Sequence, residues 1–139
     1  MGVLAIVAVL GLKTAVLCSL PAAIMPVAAG FAALSGRCVI VLYIRISRYA
    51  RENGLGQIMF RRQSWLVCLW TVVLWGAVAW RVGGHYGIVV MAAVVIFAFL
   101  WMFFTRARIG GATGDTIGAC EELTEMLVPL LLLLVLRIR

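Results

Sequence analysis

Acidic residues are scarce in this sequence. Of 139 residues, five are Asp or Glu, Asp115 is the sole aspartate, and charged residues of both signs make up 12% against 65% hydrophobic. That shortage excludes an ordinary soluble globular domain, whose charged share is about 25%. No polar stretch is long enough for a separate soluble domain, and there is no internal repeat, heptad pattern or low-complexity linker. Cys18, Cys38, Cys68 and Cys120 show no CxxC spacing and lie in or beside apolar runs, which excludes a zinc site or a disulfide framework. They read as small buried hydrophobes. The first apolar run, Met1 to Leu20, lacks a basic n-region and carries Lys13, so it reads as a retained helix rather than a secretory signal.

What is present is a succession of apolar runs. Crossing a bilayer core takes about 20 such residues, and that length recurs to predict an all-α, polytopic membrane helix bundle with about five transmembrane helices. Residues 1–139 form one integral membrane domain. The predicted spans run from Val3 to Leu20, Val27 to Ser47, Ser64 to Val82, Ile88 to Phe104 and Ile117 to Leu136. Pro21 and Pro26 flank a tight reversal, because proline in a helix interior loses a hydrogen bond. Trp65 and Trp80 are placed as interfacial anchors at the ends of the third span. His85 falls in the following turn and reads as a turn residue.

The net charge of +7 points to membrane orientation rather than nucleic acid, since the basic residues gather at span edges. Arg45, Arg48, Arg51, Arg61 and Arg62 mark the segment at 45–63, and Arg106 and Arg108 mark that at 105–115. Counted by the positive-inside rule, both loops and the start of the chain face the cytoplasm. The turn at 81–87 and the C-terminus then face outward, with Arg137 and Arg139 the dissenting pair. Lys13 and Arg37 lie inside spans, where a cation must snorkel or find a partner, and either could reach the carboxylates.

Four of the five acids, Asp115, Glu121, Glu122 and Glu125, fall in one run beside Gly110, Gly111 and Gly114. Thr113 or Asp115 can cap the backbone N–H groups of a helix starting near Thr113. At about 100° per residue from Asp115, Glu122 lies near −20°, Glu125 near −80° and Glu121 near −120°. A stripe of carboxylates at the membrane edge suits a hard divalent cation such as Mg2+. A helix N-terminus favours phosphate. Together these are ingredients of metal-assisted phosphoryl transfer at a cytoplasmic face. The competing reading is that the acids stabilise the helix dipole and the glutamates pair with arginines. A small ion-coupled transporter is a second alternative, and it requires acids near the bilayer midplane rather than at the water boundary.

The segment "GGATGDTIGACEELTE", residues 110–125, resembles the C-terminal signature of the cobalamin synthase (adenosylcobinamide-GDP ribazoletransferase) family. "RYARENGLG", residues 48–56, is similar to a loop of that family, and "GVLAIVAVLGLKTAVL" to one of its helices. The resemblance implies a transferase of the last assembly step of cobalamin biosynthesis. Its partners would be adenosylcobinamide-GDP, α-ribazole or the 5′-phosphate of α-ribazole, and the lipid bilayer, with GMP released at a bacterial inner membrane. Mapped on matching positions, Asp115 and Glu122 would be catalytic, and Asp115, Glu122 and Glu125 would hold magnesium. Gly111, Thr113, Gly114, Arg48 and Arg51 would bind substrate. The family's aspartate-rich N-terminal portion has no counterpart here. The expectation is therefore a C-terminal fragment, or one half of a split enzyme, with a homo-oligomer or the absent half as its partner. An inactive remnant of the enzyme is the third functional alternative.

Overall fold

The computed structural model describes residues 2–50, 60 and 64–138. Among them are five helices: α1 (Gly2–Cys18), α2 (Met25–Ile46), α3 (Trp65–Gly83), α4 (His85–Ile109) and α5 (Gly114–Ile138). The turns follow local chemistry. Pro21 ends the first reversal, its carbonyl accepting from the N–H groups of Ile24 and Met25 at 2.8 and 3.0 Å. Pro26 sits in the first turn of α2, where a missing N–H costs nothing. The Ser64 hydroxyl caps α3 by accepting from the Leu66 N–H at 3.3 Å. Gly84, at φ +56°, joins α3 to α4. His85 opens α4 and stacks on Tyr86, with ring centroids 3.8 Å apart.

Three helices, α2, α3 and α4, are long and apolar enough to cross a membrane. The other two expected spans fall short for different reasons. The 17 residues of α1 reach about 26 Å, less than the hydrocarbon core of about 30 Å. In α5 the apolar half is preceded by Asp115, Glu121, Glu122 and Glu125.

Two boundaries also differ from expectation. The fourth helix does not stop at Phe104 but runs on to Ile109, and the loop before α5 shrinks to residues 110–113. Thr105 explains the first shift: it is buried, and its hydroxyl is satisfied inside the helix by the Trp101 and Met102 carbonyls at 3.0 and 3.1 Å. Gly110 then takes the left-handed conformation, φ +80°, and its N–H closes on the Arg106 carbonyl at 3.1 Å. Left-handed glycine is a common helix stop.

The bundle is organised on α2, which touches all four other helices and shares its largest interface with α5. Ala28, Ala32 and Gly36, buried at four-residue intervals, let neighbouring backbones approach. Trp75, fully buried on α3, donates from its indole N–H to the Ser35 hydroxyl at 3.0 Å. Tyr43 and Thr105 share a buried hydrogen bond at 2.8 Å. Trp65, Trp70 and Trp80 are exposed instead, as side chains facing lipid or its interface should be.

Candidate functional site

At the end of the bundle where α2 and α4 finish and α5 begins, two basic segments are clamped together. The Ala50 N–H donates to the Ala112 carbonyl at 2.9 Å, and the Ala112 N–H donates to the Arg48 carbonyl at 2.8 Å. These bonds form an isolated parallel bridge between Tyr49 and Ala112. Gly111 makes it possible: a Cβ there would stand 2.3 Å from the Arg48 carbonyl oxygen, inside any tolerable contact. The two arginine-bearing segments, which topology places on one side, thus meet in space.

Beside the bridge opens a small cleft of about 30 Å³, lined by Ser47, Arg48, Met102, Thr105, Arg106, Gly110 and Gly111. Arg48 and Arg106 are exposed, so their guanidinium groups are free to reorient over the opening. Of the residues expected to bind substrate, Arg48 and Gly111 line this cleft. Thr113 and Gly114 do not line it. Thr113 caps α5: the Thr116 N–H donates to its hydroxyl at 3.3 Å, and its own N–H donates to the Thr116 hydroxyl at 2.8 Å. This reciprocal arrangement is a capping box, with Thr116 in the role usually taken by Glu or Gln. Gly114 is the exposed first residue of α5. Arg51 lies outside the described residues.

The carboxylates are arranged otherwise than expected. Asp115 is exposed in the first turn of α5, near the bridge in sequence. Glu121 pairs with Arg37 of α2 and Glu125 with Lys13 of α1. Glu122, 54% exposed, lies 3.9 Å from the same lysine. Gly36 provides the room, since a Cβ on it would meet the Glu125 Cγ at 2.9 Å and the Glu121 Cγ at 3.2 Å. Asp115, Glu122 and Glu125 therefore do not fit one magnesium ion as a set. Angular alignment concealed their axial spread: at a rise of about 1.5 Å per residue, Asp115 and Glu125 are about 15 Å apart, whereas Mg2+ takes ligands at about 2 Å. Among the described residues no three His, Cys, Asp or Glu side chains are grouped to hold a metal. Glu125 stands about 16 Å down the helix from Gly114.

Sequence alone marked Lys13 and Arg37 as cations inside apolar runs that could reach the carboxylates; the structure adds which acid each one meets. Ser47, Thr105, Arg106 and Gly110 were not selected as site residues. Their positions become meaningful only once the bridge brings residue 48 to residue 112.

The profile described as Cobalamin-5-phosphate synthase matches residues 1–134. An adenosylcobinamide-GDP ribazoletransferase of Citrobacter koseri is 33% identical over 110 residues, covering 78% of this chain and 44% of its own. That of Shigella dysenteriae is 32% identical over 135 residues, covering 95% of this chain and 55% of its own. One from Escherichia coli is 32% identical over 107 residues, 76% of this chain and 42% of its own. The chain thus spans about half the length of the curated relatives it matches. No solved structure matches it. A match running through nearly every described helix, the Gly111 bridge and the capped start of α5 places this chain in the cobalamin-5-phosphate synthase family.

Proposed function

We propose that this chain takes part in the ribazoletransferase reaction named for its relatives. In that reaction a hydroxyl of α-ribazole, or of its 5′-phosphate, attacks the activated phosphate of adenosylcobinamide-GDP. A new P–O bond forms to the ribazole oxygen, and the bond to the GMP oxygen breaks. The site faces the cytoplasm at a bacterial inner membrane, as the arginines of the two clamped segments support.

The observation that carries this reading is the bridge, which puts Arg48, Arg106 and the backbone of Gly110 and Gly111 around one opening. Guanidinium groups offer paired N–H donors that match two oxygens of a phosphate. Glycines without Cβ atoms let a phosphate come close to the backbone. The role assigned to this end of the chain is to hold the diphosphate, orient it toward the nucleophile and offset its charge. Asp115 is the acid best placed to orient the attacking hydroxyl, because Glu121 and Glu125 are committed to cations and Glu122 faces Lys13. The same pairings disfavour an ion-coupled transporter, whose glutamates must be free to bind and release their ion.

The test is binding of adenosylcobinamide-GDP to the chain in lipid nanodiscs. Arg48→Ala removes a charged hydrogen-bonding group and should raise Kd by about tenfold or more. Unaltered affinity would remove the cleft from consideration as the diphosphate site.

A further inference from the structure

We infer that the Ser47 hydroxyl is a phosphate-binding group, donating to a phosphoryl oxygen held between Arg48 and Arg106. The inference deepens the reading above and rests on it. Ser47 leaves α2 as its C-cap with extended backbone, φ −96° and ψ 160°, and its N–H closes the helix on the Tyr43 carbonyl at 3.0 Å. Its side chain lines the cleft, yet the hydroxyl oxygen is shut off from solvent without a hydrogen-bond partner. Among the described residues no other buried side-chain nitrogen or oxygen is left in that condition. An unpaired buried hydroxyl costs about 1 to 3 kcal/mol, so its presence asks for a partner, which enters when the exposed Arg48 and Arg106 side chains move off the opening.

The nearby described hydroxyl and backbone groups are bonded to one another instead. Thr105 bonds to Tyr43 and to two carbonyls of its own helix. The Gly110 N–H is taken by Arg106, and the Arg48 carbonyl accepts from Ala112. Among the described residues the lining of the cleft holds two arginines and no acid. A cation is therefore repelled and an oxyanion favoured. A phosphate monoester or diester presents such oxygens, and a soluble nucleotide and an anionic lipid headgroup both carry them.

The experiment compares the unfolding temperature of the wild-type chain, Ser47→Ala and Arg48→Ala in phosphatidylcholine nanodiscs titrated with GDP. A second arm uses nanodiscs containing phosphatidylglycerol and no nucleotide. Without phosphate, Ser47→Ala should be at least as stable as wild type, since it deletes an unpaired hydroxyl; a clear loss of stability would show an internal structural role and overturn the inference. With GDP, wild type should be stabilised and Ser47→Ala should need about tenfold more nucleotide for the same shift. A response confined to phosphatidylglycerol and lost in Ser47→Ala keeps the phosphoryl contact but withdraws the substrate site proposed above. If Ser47→Ala follows wild type in both arms, the inference fails. Should Arg48→Ala alone lose the GDP response, the substrate site survives without Ser47.

Discussion

Replacing Gly111 by alanine isolates the bridge that assembles the cleft. The added Cβ would lie 2.3 Å from the Arg48 carbonyl oxygen and 3.2 Å from the Ala50 nitrogen. Both neighbours are backbone, so no side chain can swing away and the two segments must separate by about 1 Å to restore ordinary contact. That separation breaks the Ala50–Ala112 and Ala112–Arg48 hydrogen bonds. Two such bonds at about 1 kcal/mol each, with some residual crowding, give an expected loss of about 2 to 3 kcal/mol. The assay is hydrogen exchange of the chain in detergent, read at the Ala50 and Ala112 amides, together with chemical unfolding. Gly110→Ala is the control. It meets nothing within 4 Å, and its φ of +80° costs about 1 kcal/mol of conformational strain while leaving the bridge closed. Protected Ala50 and Ala112 amides in Gly111→Ala, with stability within about 0.5 kcal/mol of wild type, would refute the close-approach argument.

Two other substitutions probe the helices that carry the charges. Lys13→Met leaves the Glu125 carboxylate, 12% exposed, without its cation and should cost about 3 kcal/mol, whereas Lys13→Met with Glu125→Met should recover most of that loss; a double variant no better than the single would contradict the pairing. Thr113→Ala deletes one arm of the cap of α5 and should cost about 1 kcal/mol, seen as faster exchange of the Thr116 amide, while unaltered exchange would mean that the cap is idle.

The bundle was legible in the sequence because hydrophobic length and arginine placement are local signals. The start of α5 was legible for the same reason, since Thr113 before an acidic turn is a capping pattern that needs no distant partner. The end of α4 was not, because Thr105 and the arginines after it read as loop, and only burial against Tyr43 shows that the helix continues. The stripe of carboxylates was found by angle and misjudged by length. Rotation about an axis says which face a residue shares, but an ion also requires its ligands within a few ångströms along that axis. Gly36 carried no readable signal, since a helical glycine has no visible purpose until Glu121 and Glu125 are seen beside it. The bridge at Ala112 was invisible for a similar reason: one pair of residues lacks the alternation that announces a strand.

The ion pairs also bear on how the chain is built. Lys13 and its partner Glu125 are 112 positions apart, so a ribosome delivers the cation long before the anion. A lone cation at the centre of a span costs about 2.5 to 3.5 kcal/mol to insert, and Lys13 and Arg37 each lie inside an apolar helix, where part of that cost applies. The acids of α5 carry the reciprocal handicap until they meet α1 and α2. Late arrival of the last helix is therefore the event that neutralises both early ones, and newly made α1 and α2 should remain near the insertion machinery, or at the water surface, until it comes.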